Sequence, residues 1–134
     1  VAITPAAGFV GPAGAFFIGL IAGIVCYWAS TKLKNKFGYD DSLDVFGIHG
    51  VGGTVGALLT GIFAKEAIGG AAGLLEGNIG QLWLQFIGVA FTIVYTAVLT
   101  YVILKIVNLI TPLRATLEEE TQGLDLNQHG EQVS

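Results

Sequence analysis

One side chain stands apart by its chemistry. His49 lies in the stretch Asp44-Val45-Phe46-Gly47-Ile48-His49-Gly50-Val51-Gly52-Gly53-Thr54-Val55-Gly56. Three long apolar blocks run through the chain, and beyond Asp44 at the very start of the second, His49 is the only Asp, Glu, Lys, Arg or His inside any of them until Lys105, near the end of the third. Such groups are costly in hydrocarbon, and those found there face a bundle interior, a water-filled cavity or a substrate path. Imidazole also changes protonation near neutral pH and carries distinct donor and acceptor nitrogens. Two readings follow from residue type and position. His49 handles a transported species or its proton, or it is a structural histidine hydrogen-bonded to a neighbouring helix.

The other polar residues offer less. Asp40-Asp41-Ser42 precede the histidine block, so Ser42 is placed to cap a helix and Asp44 to sit in its first turn, where the dipole favours an anion. Gln81 and Gln85 stack at i, i+4 in the third block and suit bonding between helices, while Thr92, Tyr95, Thr96 and Thr100 can satisfy themselves on backbone carbonyls. His129 has no partner at metal-ligand spacing. With no metal cluster, nucleophile triad or phosphate-cradling loop, nothing supports an enzyme or a bound cofactor. A net charge of −4 argues against nucleic acid as a partner, and the single cysteine, Cys26, excludes a disulfide framework.

Helical spacing sets His49 in a wider pattern. Val45, His49, Gly52, Gly53, Gly56 and Thr60, with the adjacent pair Gly52-Gly53 counted together, recur at steps of three, four or seven and fall on one face of an α-helix. Glycine is a poor helix former, so this density needs a reason. Gly52-x-x-x-Gly56, like Gly19-x-x-x-Gly23 in the first block, lets two helices approach closely in a membrane.

The elements that must carry these residues follow from composition. Only 12% of the chain is charged, against roughly a quarter in soluble domains. The apolar residues form three blocks, about 11–30, 43–64 and 79–111, with nearly all the charges outside them. A hydrocarbon core of ~30 Å takes ~20 helical residues, and all three blocks suffice. Pro12 suits a first helical turn, and Tyr27 and Trp28 mark an interfacial aromatic belt before Lys32, Lys34 and Lys36. The third block, ~32 residues and about 48 Å, must tilt or project. Lysines in the first loop, and Lys105 and Arg114 at the end of the third segment, place that loop and the C-terminus in the cytoplasm. The expected fold is therefore all-α: a polytopic membrane protein with three transmembrane helices. Its acidic tail, residues 112–134, carries Thr116 and Glu119 at capping-box spacing and Gly123 to end a short helix. The tail is either a solvated segment or a regulatory docking surface.

The run Asp40-Asp41-Ser42-Leu43-Asp44-Val45-Phe46-Gly47-Ile48-His49-Gly50-Val51-Gly52-Gly53 resembles the signature of the ammonium transporter family (Amt/Mep/Rh). Ala2-Ile3-Thr4-Pro5-Ala6, Gly11-Pro12-Ala13-Gly14-Ala15, Gly123-Leu124-Asp125 and His129-Gly130-Glu131 agree in order and spacing. The bacterial and archaeal Amt branch fits better than the Rh branch. The resemblance implies eleven helices per subunit, of which this chain would carry the ninth to the eleventh as a C-terminal fragment, and assembly as a homotrimer with one pore per subunit. It makes His49 the second member of a pore histidine pair, Val45 a lining residue of the inner vestibule, and Asp41 and Asp44 structural residues at the cytoplasmic mouth. It implies ammonium or ammonia as substrate, nitrogen uptake across the cell membrane, and a PII-type regulatory protein at the cytoplasmic face. Some members act as sensors, but no signalling domain follows Gly130, which favours the transporter. The first pore histidine belongs to earlier helices of the family fold. This chain alone is therefore not expected to conduct.

Overall fold

The computed structural model describes residues 1–130, except for the side chains of Gln128 and His129. Glu131 of the last family-like motif, and the His129 side chain, lie outside what is described. The described residues form helices and turns, and no strand occurs among them. Three helices are long and apolar enough to cross a membrane: α1 at Pro12–Phe37, α2 at Phe46–Phe63 and α4 at Ile79–Ile110. Between α2 and α4 lies the short helix α3, Glu66–Gly69. A last short helix, α5, covers Leu117–Gln122. The expected all-α architecture with three membrane-length helices is the one observed. Two compact units divide within α4, at Thr92 and Ile93.

Proline opens α1, where its missing N–H costs nothing. The helix then continues past the apolar run that ends near residue 30. It passes through a π turn at Ala29–Leu33 and a last α turn at Lys34–Phe37. The lysines expected in a loop therefore stand on the end of the helix, where cations complement its dipole. Gly38 stops it in the left-handed region at φ 60°, its N–H donating to the Lys34 carbonyl at 2.8 Å.

Within residues 1–92 the packing is built from small residues. On α1 the buried positions are Gly14, Ile18, Ala22 and Ala29, which share one stripe of the helix. A buried cluster of Ala2, Ala6, Ile18 and Ala22 ties the N-terminal turn to α1, with Leu59 and Phe63 of α2 against it. Phe17 of α1 stacks on Phe63 at 6.1 Å between ring centroids. Beyond α2 the loop is held by backbone bonds: Lys65 N–H to the Phe9 carbonyl at 2.8 Å and Gly73 N–H to the Ala64 carbonyl at 2.9 Å. The Glu76 carboxylate accepts from Glu66 N–H at 2.8 Å and so caps α3.

The long helix α4 has no buried residue. Most of its large side chains, from Ile79 and Trp83 to Leu109 and Ile110, are exposed. A helix apolar on every side is soluble only inside protein or lipid. Thr92 returns its hydroxyl to the Gly88 carbonyl at 2.8 Å, and Thr96 to that of Ile93 at 3.3 Å, so these hydroxyls place no open demand on lipid. In the tail, the capping box forms as its spacing predicts. The Thr116 hydroxyl accepts from Glu119 N–H at 3.3 Å, and the Glu119 carboxylate accepts from Thr116 N–H at 2.7 Å. Gly123, at φ 101°, ends the helix.

Candidate functional site

The start of α2 is set by carboxylates. Asp41, not Ser42, supplies the cap: its two oxygens accept from the N–H groups of Val45 and Phe46, both at 2.8 Å. A carboxylate spans two orphan donors at once, which a serine hydroxyl cannot. Asp44 precedes the helix at φ 54°, the one described non-glycine residue in the left-handed region. Asparagine and aspartate are the residues that tolerate this conformation best. Its carbonyl accepts from Ile48 N–H at 2.9 Å, and its carboxylate pairs with Lys34 of α1 at 2.8 Å. Lys34 Nζ also donates to the Asp41 carbonyl. Three polar residues thus lock the end of α1 to the start of α2.

The first six residues of α2, Phe46–Val51, form a π turn, and an α-helix follows from Gly52. A π turn takes in one extra residue, and such turns concentrate at functional sites. Here it changes which residues share a face. The buried positions on α2 are Gly47, Gly52, Gly56 and Thr60, spaced by five, four and four, with Gly61 beside the last. The expected single face of Val45, His49, Gly52, Gly53, Gly56 and Thr60 therefore divides. Val45 and His49 are exposed, while Gly52, Gly56 and Thr60 are buried. His49 lies two residues from Gly47, about half a turn round the helix. Its imidazole sits away from the stripe that contacts α1.

Close approach along that stripe depends on missing side chains. A Cβ on Gly47 would run into Ser30 of α1, whose backbone N would lie 3.0 Å away; one on Gly52 would lie 2.9 Å from Cys26 Sγ. At Gly56 it would overlap the Ala2 carbonyl, and at Gly61 it would lie 2.9 Å from Leu82 Cα of α4. Neither Gly47 nor Gly61 was singled out by the GxxxG pattern: the π turn sets Gly47 five residues before Gly52, and Gly61 has Ala57, not glycine, four residues before it. The other motif behaves differently. Gly19 and Gly23 are exposed, and a Cβ on either would meet nothing within 4 Å. Among the described residues they approach no other helix, since α1 turns Gly14, Ile18 and Ala22 inward instead.

Two π turns, Ala29–Leu33 and Phe46–Val51, face each other across the Ser30–Gly47 contact. Tyr39 meets Phe46 edge-on, with ring centroids 5.6 Å apart. Cys26 Sγ points to the Ile48 carbonyl at 3.9 Å. The arrangement offers one imidazole on the open side of an apolar helix, rigidly backed by glycine packing and a polar clasp.

Comparison with known proteins adds a wider frame. Residues 1–134 match the Ammonium Transporter Family. An "Ammonium transporter" of Bacillus subtilis (strain 168) is 54% identical over 99% of this chain and 33% of its own length. Another, from Aquifex aeolicus (strain VF5), is 54% identical over 99% of this chain and 31% of its own length. "Ammonium transporter Amt1" of Archaeoglobus fulgidus is 49% identical over 97% of this chain and 33% of its own length. The chain spans about a third of the length of the relatives it matches.

Proposed function

The chain belongs to the ammonium transporter family, and we propose that it forms the last three helices of a channel-like transporter for ammonium or ammonia, with His49 as the second imidazole of a pore pair. The observation that carries this reading is the position of His49. It is exposed on an apolar helix, opposite the glycine stripe buried against α1. An imidazole there meets whatever completes the structure beyond these residues. Val45, one turn earlier and also exposed, would line the inner vestibule. Asp41 and Asp44 would shape the cytoplasmic mouth.

The chemistry is coherent. An ammonium ion entering an apolar passage would lose its hydration shell at heavy cost. Leaving its proton behind lets the neutral amine cross, and a pair of imidazoles can hydrogen-bond ammonia through one nitrogen while the other nitrogen holds or passes a proton. The conducting unit would be a homotrimer in the cell membrane, serving nitrogen uptake. Its C-terminal tail would lie in the cytoplasm, within reach of a PII-type regulator. Gly19 and Gly23, open in this chain, would take a helix from the remainder of the subunit.

The test is ammonium uptake by cells carrying the full-length transporter. His49→Ala should abolish or sharply reduce uptake at unchanged membrane abundance. Uptake equal to wild type would sink the pore assignment and leave His49 a structural residue.

A further inference from the structure

Lys34 is a lysine of the kind that positive-inside statistics explain by topology alone, yet its contacts are more specific than that role needs. Its ammonium is partly shielded, with 27% of the side chain exposed, and it holds two acceptors of the loop before α2: the Asp41 carbonyl and the Asp44 carboxylate at 2.8 Å. Through their other oxygens, the same two residues bond the first turn of α2. The Asp41 carboxylate receives Val45 and Phe46 N–H, and the Asp44 carbonyl receives Ile48 N–H, next to His49. Asp44 does so from the left-handed region, a conformation that persists only where the surroundings hold it. Lys34 is the side chain of another helix that holds it.

We infer that Lys34 is a positioning residue for His49: through Asp41 and Asp44 it fixes the rotation of the π turn at Phe46–Val51, and with it the direction in which the imidazole points. The inference rests on the pore reading for its consequence but not for its geometry. A residue more or less in a helical turn moves a side chain by roughly 100°, so a π turn needs an external reference to hold one register. Two references act on this one from α1. The Ser30–Gly47 contact sets the distance between the helices, and the Lys34 clasp sets the rotation.

The experiment uses the full-length transporter with isotope-labelled histidine in lipid nanodiscs, the His49 resonances being assigned by their disappearance in His49→Gln. Lys34→Met should move those resonances and lower ammonium flux several-fold, and Lys34→Arg should restore both. Lys32 and Lys36 remain in every variant, so the topology signal is kept. Asp44→Asn retains a residue that tolerates the left-handed backbone and removes the charge, and it should reproduce the Lys34→Met spectrum. It also provides the readout if Lys34→Met fails to fold. Unmoved His49 resonances in a folded Lys34→Met or Asp44→Asn protein overturn the positioning role. Should the resonances move while His49→Ala leaves flux intact, the clasp stands and the pore reading falls.

Discussion

At the scale of single residues, the start of α2 makes sharp demands. Asp41 satisfies two orphan N–H groups, and losing an N-cap typically costs about 1 kcal/mol. Asp41→Ala should therefore lower the thermal midpoint of the detergent-solubilised full-length protein by a few degrees, while Ser42→Ala should leave it within error. Equal shifts from the two would contradict the assignment of the cap. Asp44 is constrained twice, by its ion pair and by its backbone. Asp44→Asn removes only the ion pair, whereas Asp44→Val removes the ion pair and also places a β-branched residue at positive φ, so valine should be markedly the worse in the same thermal assay. Much here is legible in the chain itself, because one histidine among apolar residues is conspicuous. Lys34 is not: nothing in its spacing separates it from Lys32 and Lys36, and only the fold brings it to Asp44. The choice of Asp41 over Ser42 as cap was equally hidden, since both precede the helix and either type can serve.

Among the elements, the π turn is what sequence periodicity misses. A period of 3.6 puts His49 and Gly52 on one face, but the extra residue in Phe46–Val51 parts them and brings Gly47 into the buried stripe. The number and apolar character of the three spans were readable, since ~20 uncharged residues leave few alternatives. The end of α1 was not, because charge alone does not stop a helix, and Gly38 does. Glycines on α2 should separate into two classes. Gly56→Ala would force a Cβ into the Ala2 carbonyl and should destabilise by roughly 1–3 kcal/mol, as overpacking does. Gly53→Ala meets nothing within 4 Å and should be neutral or stabilising by up to about 1 kcal/mol. Thermal unfolding of the two variants checks the division. In the tail, the bonds from Thr116 hold the Glu119 carboxyl below its ordinary value, the backbone N–H first and the hydroxyl second. Its cap is therefore intact above the ordinary glutamate range and is lost as pH falls through the lowered value. The Thr116 amide resonance should titrate on acidification and stop doing so in Glu119→Gln; a pH-independent wild-type resonance would contradict the capping box.

For the whole molecule, exposure is the governing fact. Large apolar side chains are exposed on α1, such as Phe16 and Ile24, on α2, such as Phe46, and along all of α4. Lipid would cover some of this surface, but it would explain neither the open Gly19-Gly23 face nor the exposed imidazole on α2. A path enclosed by three helices would need side chains turned toward a common interior, and Val45 and His49 turn away from the α1 contact instead. The 134-residue chain reconstituted alone should therefore give ammonium flux no higher than empty liposomes.

The central claim is that His49 lines the conducting path, and ammonium flux through purified full-length transporter in liposomes tests it most directly. Wild type and His49→Ala are compared at equal protein per vesicle, with an ammonium gradient as the driving force. Flux falling to the empty-liposome level, or close to it, is the predicted result. Flux indistinguishable from wild type would contradict it.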